Sequence, residues 1–245
     1  MIILALDTST IVASVALMEE DKLIGEYTIN HERTHSQKLM PMIEELLEDC
    51  ERTMEQISHV AVAEGPGSFT GLRIGVATAK GLAHAMNIPV VGISTLDALA
   101  FNLPYCHGLV CPILDARRGQ VYAGIYKWDA GVLHIIEEPK ALTMEELMII
   151  LLNRPENVIF IGDGVQVQQN REIFIQKLGE RASIAPESVR MPKAGSVAQL
   201  ALQRIQEGKT KSFYQLTPEY LRKSEAERQY EDKQKRCEVD GVFED

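Results

Sequence analysis

The sequence predicts an α/β protein built from two related domains. Three observations predict it. The first hundred residues place three strand-like runs ahead of an alternation of helices and strands. A second set of similar order begins after residue 104. Each set opens with an apolar strand ending in Leu-Asp, "ILALDTST" (3–10) and "CPILDARR" (111–118), followed by a turn and a second strand. A meander followed by strands alternating with helices is what a sheet with antiparallel and parallel parts requires. The echo reads as an internal structural duplication. The expected division is a domain at 1–103, a smaller one at 104–223 and a charged tail at 224–245.

Taken in order, "MIILALD" (1–7), "VASVALM" (12–18) and "KLIGEYTI" (22–29) are strands, with "EEDK" turning between the last two. Leu23, Gly25, Tyr27 and Ile29 alternate, the period of a strand. In "SQKLMPMIEELLEDC" (36–50), Leu39, Met42, Ile43, Leu46, Leu47 and Cys50 recur at helical spacing. Thr34 or Ser36 is its candidate N-cap, and Pro41 falls in the first turn or marks a kink. "HVAVAE" (59–64) and "PVVGIS" (89–94) are strands, while "FTGLRIGVATAKGLAHAM" (69–86) and "TLDALAFNL" (95–103) are helices. The pattern breaks at "LPYCHG". The second set runs "LVCPILDA" (109–116), a turn "RRGQ", "VYAGIYKW" (121–128) and "GVLHIIEE" (131–138). It continues with a helix "TMEELMIILLN" (143–153), a strand "VIFIGDG" (158–164), a helix near "QQNREIFIQKLG" (168–179) and a helix "SVAQLALQRIQEG" (196–208). The tail from Ser224 is dense in charge and nearly free of aliphatics, so it buries little.

A chain of 245 residues that is 45% hydrophobic buries roughly 70% of the surface its unfolded form exposes. No charged leader or cleavage site precedes the first strand, and the longest apolar runs are far shorter than a bilayer span. A cytoplasmic protein without a membrane segment is expected. The four cysteines, Cys50, Cys106, Cys111 and Cys237, show no disulfide framework. "YCHGLVC" offers Cys106, His107 and Cys111 at a spacing that fits buried thiols better than a metal site. The net charge is −10 and the short basic runs are flanked by acids, which disfavours unaided gripping of a phosphate backbone. An acidic surface is compatible with a basic protein partner.

Two motifs invite chemistry. "HERTH" (31–35) spells H-E-x-x-H, in which two histidines on one helical face bind zinc and the Glu acts as base. Its context is wrong for that. The string lies between a strand and a helix and has no apolar residue to bury, so a polar connection is the better reading. "EGPGSFTGLRIG" (64–75) runs from a strand into a helix. Gly65, Pro66 and Gly67 make a turn, and Ser68 or Thr70 can cap the helix. Leu72-Arg73 follows Gly71, so it is not a P-loop, and it holds neither G-x-G-x-x-G nor G-x-S-x-G.

Within that helix Gly71, Gly75, Ala79 and Ala83 lie four apart, a stripe of small side chains that admits a close neighbour. Interior glycines each cost about 1 kcal/mol against alanine and so need a reason. Leu72 and Val76 flank the stripe. Leu39, Met42, Ile43 and Leu46 lie on the preceding helix, its expected neighbour. The pair either packs only on its own sheet or also meets another subunit.

"LALDTST", "HSQKLMPMIEELL", "EGPGSFTGLRIGVATAKGLA", "PVVGISTLDALA", "ILDARRGQVYAGIY" and "TPEYLR" together resemble the TsaB (YeaZ) family, over roughly residues 1–223. The resemblance implies an actin-like ATPase (ASKHA) fold of two RNase H-like domains. It implies a non-catalytic subunit, with no catalytic or metal residue of its own, for threonylcarbamoyl transfer to the adenosine beside the anticodon in tRNAs reading A-starting codons. The implied partners are a TsaD-type catalytic subunit, a TsaE-type ATPase and a second copy of the chain, with tRNA met indirectly. The ten residues Leu39, Met42, Ile43, Leu46, Gly71, Leu72, Gly75, Val76, Ala79 and Ala83 fall on the family's partner interface. The metal-binding histidines of the sister enzymes fall on Thr95 and Leu99 here. Asp7, Thr8 and Ser9 match the first phosphate loop of the ASKHA ATPases, but "DARRGQ" has two Arg where a glycine-rich second loop belongs. ATP or ADP is therefore expected only at a partner interface. In the family, "HS..L.P.I..LL" uses His35 and Ser36, which makes the zinc-protease string a coincidence. An ATPase or kinase with its own nucleotide site and a metalloprotease are the alternatives.

Overall fold

The structure, a computed structural model, describes residues 1–31 and 35–222. The first set of elements is β1 (Ile2–Asp7), β2 (Val12–Glu19), β3 (Lys22–Asn30), α1 (His35–Asp49), β4 (His59–Gly65), α2 (Phe69–Met86), β5 (Val90–Ser94) and α3 (Thr95–Phe101). The second is β6 (Leu109–Asp115), β7 (Gln120–Asp129), β8 (Val132–Thr143), α4 (Met144–Leu152), β9 (Val158–Ile161), α5 (Gln168–Leu178), β10 (Ala182–Ile184), α6 (Glu187–Arg190) and α7 (Ala194–Gln206).

The two sheets repeat one topology. The first has the order β3-β2-β1-β4-β5 and the second β8-β7-β6-β9-β10. In each, the opening strand pairs antiparallel with the next and parallel with the strand reached through a helical crossover. The Leu-Asp echo marks equivalent strands: β1 ends at Asp7 and β6 at Asp115. The α/β class read from the sequence is the one observed, and the duplication extends to the whole order of strands.

Alternate residues of a strand face opposite sides of its sheet. On the first sheet, Leu4, Leu6, Val15, Leu17, Val60 and Val62 pack under α1 and α2. Ile3, Ala5, Ala16, Ala61, Ala63 and Val91 face the other way and meet α7. On the second sheet, Cys111, Ile113, Ala123 and Phe160 pack under α4 and α5, with Phe160 stacked 3.8 Å from Phe174. Val110, Leu114, Tyr126 and Ile161 face α3. The strands are continuous apolar runs because both faces are covered. Two helices, α3 and α7, thus lie between the sheets. Each covers the sheet of the other repeat: α3 follows the first sheet and packs on the second, and α7 does the reverse. Alanine dominates the α7 contact, with Ala194, Ala198 and Ala201 against Ala5, Ala16, Ala61 and Ala63.

The first turn of α7 is satisfied from a distance. Ser14 Oγ in β2 accepts from the Ala194 N–H at 2.9 Å, and Glu26 Oε1 in β3 accepts from the Gly195 N–H at 2.7 Å. These bonds supply two of the orphan donors of that helix end. Elsewhere capping is local. Ser68 Oγ accepts from the Gly71 N–H to start α2, and Thr143 and Glu146 form a reciprocal capping box on α4. Pro41 lies in the second turn of α1.

Candidate functional site

The carboxyl ends of β1 and β6 face a cleft of about 540 Å³ between the two repeats, lined on one side by Ser9, Thr10 and the start of α2, and on the other by Asp115, Arg117 and Asp163. The first wall starts at Asp7, whose side chain is fully buried. Its Oδ1 accepts from the Ser9 N–H at 2.8 Å and from Ser9 Oγ at 2.6 Å. Its Oδ2 has no hydrogen-bond partner among the described residues. Burial raises its pKa to about 6, opposed by the two Ser9 bonds. The loop then docks on the turn before α2. Ser9 O accepts from the Ser68 N–H at 2.6 Å, and the Thr8 hydroxyl donates to Gly71 O at 2.7 Å. Of the three residues expected at a phosphate loop, Ser9 lines the cleft, while Asp7 and Thr8 lie beneath it.

The second wall mirrors the first. Asp115 Oδ1 accepts from the Arg117 N–H at 2.7 Å, the same two-residue turn. The next strand over ends in Gly162-Asp163-Gly164, at the place where β4 leads into Gly65-Pro66-Gly67. Asp163 Oδ1 accepts from the Asp115 N–H at 3.0 Å. Burial raises the Asp163 pKa to about 6, opposed by that backbone bond. Arg117, Arg118 and Gly119 have φ of 64°, 55° and 72°. Two arginines therefore hold the left-handed backbone that glycine adopts without strain, at a cost of about 1–2 kcal/mol each. Only one of these three left-handed residues is a glycine, and the Arg117 side chain reaches Asp115 Oδ2 at 3.5 Å.

Tyr220 and Arg222 also line the cleft. They and Asp163 were not singled out in the sequence as site residues. The signals were present in the second Gly-x-Gly of "IGDG" and in "TPEYLR".

All ten residues expected at a partner surface are buried within the chain. Leu39, Met42, Ile43 and Leu46 join Val76, Ala79 and Ala83 in the core over the first sheet. Leu72 is buried as well. A Cβ on Gly71 would lie 2.0 Å from Thr8 O, and one on Gly75 would lie 2.4 Å from Thr8 Oγ1. The close neighbour that the small stripe admits is the Asp7–Ser9 loop and its own sheet. The outward faces of these helices carry other residues, among them Met40, Glu44, Arg73, Ala77 and Gly81. A Cβ on Gly81 would meet nothing within 4 Å.

His35 opens α1, and its Nε2 lies 2.8 Å from Thr10 O at the cleft edge. His31 directly follows β3, and Glu32 to Thr34 lie outside the described residues. Among the described residues no three His, Cys, Asp or Glu side chains converge as a metal site. Cys50, Cys106 and Cys111 are free thiols, each pushed up by burial. Cys237 and the 224–245 tail lie outside the described residues. No helix among the described residues is long and apolar enough to cross a membrane.

Residues 22–230 match the family model described as TsaD, tRNA N6-adenosine threonylcarbamoyltransferase. The tRNA threonylcarbamoyladenosine biosynthesis protein TsaB of Bacillus subtilis is 35% identical over 235 residues, spanning 96% of this chain and 100% of that protein. The chain belongs to the TsaB family. A crystal structure from Pseudomonas aeruginosa, described as an uncharacterized protein with similarity to peptidase YEAZ, superposes with a TM-score of 0.78 at 29% identity, covering 90% of this chain and 99% of that one. Component A of the Acidaminococcus fermentans (R)-2-hydroxyglutaryl-CoA dehydratase superposes with a TM-score of 0.51 at 13% identity, covering 84% of this chain and 99% of that one, a likeness of fold alone. The TsaB family chain described here thus has the actin-like ATPase fold, with the paired Asp-ended strands at its cleft.

Proposed function

We propose that this chain is a non-catalytic subunit in the transfer of a threonylcarbamoyl group to tRNA, at the adenosine 3′ of the anticodon in tRNAs reading A-starting codons. In this reading it holds a TsaD-type enzyme in working form, a TsaE-type ATPase joins the assembly, and tRNA is met through the complex. The near full-length relation to proteins named for tRNA threonylcarbamoyladenosine biosynthesis supports the pathway. The observation that carries the non-catalytic role is the packing of α3. Thr95 and Leu99 stand where the sister enzymes place their metal-binding histidines. Both are fully buried, and Leu99 lies in the core against the second sheet. Leu99 serves packing here, and Thr95 is buried with its hydroxyl unpartnered among the described residues.

We assign the partner face, for a TsaD-type subunit or a second copy, to the outer side of α1 and α2. The ten buried residues set the position of that helix pair, and Met40, Arg73, Ala77 and Gly81 present it. Gly81 supports this choice. An interior helix glycine costs about 1 kcal/mol, and among the described residues no atom needs the space it leaves. A partner backbone passing there gives the glycine its reason. ATP or ADP, in this reading, belongs to the assembled interface, where Ser9 is the member of the first loop that lines the cleft.

Capture of purified chain by an immobilised TsaD-type subunit tests the face. Gly81→Arg should weaken capture at least tenfold while leaving the melting temperature near wild type. Unchanged capture would remove the face from this reading. Titration calorimetry with Mg-ATP on the isolated chain separates the alternative, since micromolar binding would favour an ATPase with its own site.

A further inference from the structure

Residues 207–222 follow α7 and form no helix or long strand, yet they touch both repeats. Their root is on the first. Val90 and Lys211 exchange both backbone hydrogen bonds at 2.9 Å. Leu216 is fully buried in the core under α2, and Lys80 Nζ donates to its carbonyl at 2.9 Å. The Glu219 N–H donates to Glu64 O at 2.6 Å. The chain then turns across the cleft. The Tyr220 ring stacks on Phe69 with centroids 4.9 Å apart, and its hydroxyl accepts from Arg73 Nε at 3.0 Å. Two residues on, one guanidinium nitrogen of Arg222 donates to Ala116 O at 2.5 Å and to Arg117 O at 3.3 Å.

The two ends of this segment differ in kind. The root is made of backbone pairs and a buried leucine, contacts that persist until the domain opens. The tip is made of one ring stack, the Arg73–Tyr220 hydrogen bond and one guanidinium on two loop carbonyls, side-chain contacts whose polar members water can replace. The receiving loop is the one held left-handed at Arg117 and Arg118. Losing Arg222 removes two of the hydrogen bonds that tie that loop down and leaves it to its own backbone pairs, Ala116 N–H to Gln120 O and Gln120 N–H to Arg117 O.

We propose that Tyr220 to Arg222 form a releasable latch that ties the start of α2 to the loop between β6 and β7 across the mouth of the cleft, on repeats already joined through α3 and α7. Rooted at Glu219, it lets go at Arg222 first, and release widens the cleft for a ligand or partner segment. The latch is independent of the partner-subunit reading, because it concerns the free chain alone.

Hydrogen exchange by mass spectrometry on the full chain tests it, with Tyr220→Ala and Arg222→Ala compared with wild type. Tyr220 meets Phe69 and Arg73 in the first repeat, so a purely local effect would stay there. A latch requires both variants to speed exchange across 115–120 by roughly tenfold or more while β1 and residues 109–114 of β6 keep their protection. Arg222→Lys should restore part of it. A response to Tyr220→Ala confined to the start of α2 would overturn the proposal. So would no change at 115–120 in either variant. A uniform rise across both sheets would also overturn it, since the segment would then be part of the core.

Discussion

Asp7 and Asp115 occupy the same position in two copies of one topology. Each ends the central strand of its sheet, and each accepts a hydrogen bond from the backbone N–H two residues later, at 2.8 Å from Ser9 and 2.7 Å from Arg117. They differ in surroundings. Asp7 is sealed beneath the loop, with one oxygen unpartnered among the described residues, whereas Asp115 is partly exposed beside the Arg117 guanidinium.

That difference has a pH signature. The folded-state pKa of Asp7 is raised to about 6 from 3.8, so its charged form is the one the fold disfavours. Below about pH 4 the carboxyl is protonated folded or unfolded, and Asp7 costs nothing. As pH rises toward 6 the unfolded chain ionises first, and stability falls. Asp7→Asn, which keeps an acceptor for Ser9, should therefore raise stability by about 2–3 kcal/mol above pH 6 and by little below pH 4. Melting temperature against pH for both proteins checks this. A gain that is absent or independent of pH would contradict it.

Three glycines of α2 should behave in three ways. Alanine at Gly71 would strike the Thr8 carbonyl, backbone that cannot rotate aside, and should cost about 3 kcal/mol or more. Alanine at Gly75 would strike the Thr8 hydroxyl and should cost about 1–3 kcal/mol. Gly81→Ala meets nothing and should add about 0.5–1 kcal/mol. Urea unfolding of the three variants gives the order directly. Equal effects would show that the stripe does not rest on the loop.

Ser14→Ala should leave the Ala194 N–H at the start of α7 without its acceptor while Glu26 still holds Gly195. The serine accepts from the Ala194 N–H and shares a bond with Thr28 Oγ1 at 2.8 Å, and no side chain of α7 caps this end. The expected loss is about 1–2 kcal/mol, read by urea unfolding. A neutral result would mean that water replaces the cap.

Periodicity carried much of this fold. The strands around Leu4, Val15 and Val62 and the helices around Leu46 and Val76 stand where their apolar spacing put them. What spacing could not carry was the identity of the neighbour. The stripe of Gly71, Gly75, Ala79 and Ala83 correctly announced a close approach, but the approaching atoms are those of Thr8 and the sheet. Likewise α7 shows an apolar face without saying which sheet it meets, and its cap lies 180 residues upstream at Ser14. Long-range pairing of this kind leaves no local pattern. The three-residue strand β10 and the extension of β8 through Pro139 to Thr143 escaped because β10 is too short, and the end of β8 too mixed, to show a period. At the site, Asp7 and Asp115 were legible as an echo. Arg222 was not, because its role depends on a chain path that returns across the molecule.

In the proposed role this chain enables a reaction it does not perform. The most direct measurement is a reconstitution from purified parts: a TsaD-type enzyme, a TsaE-type ATPase, ATP, threonylcarbamoyl-adenylate and unmodified tRNA, with and without this chain, assayed for the modified nucleoside. The account predicts product only when this chain is added, and none from this chain with substrates alone. Equal product without it, or product from this chain by itself, would contradict the account.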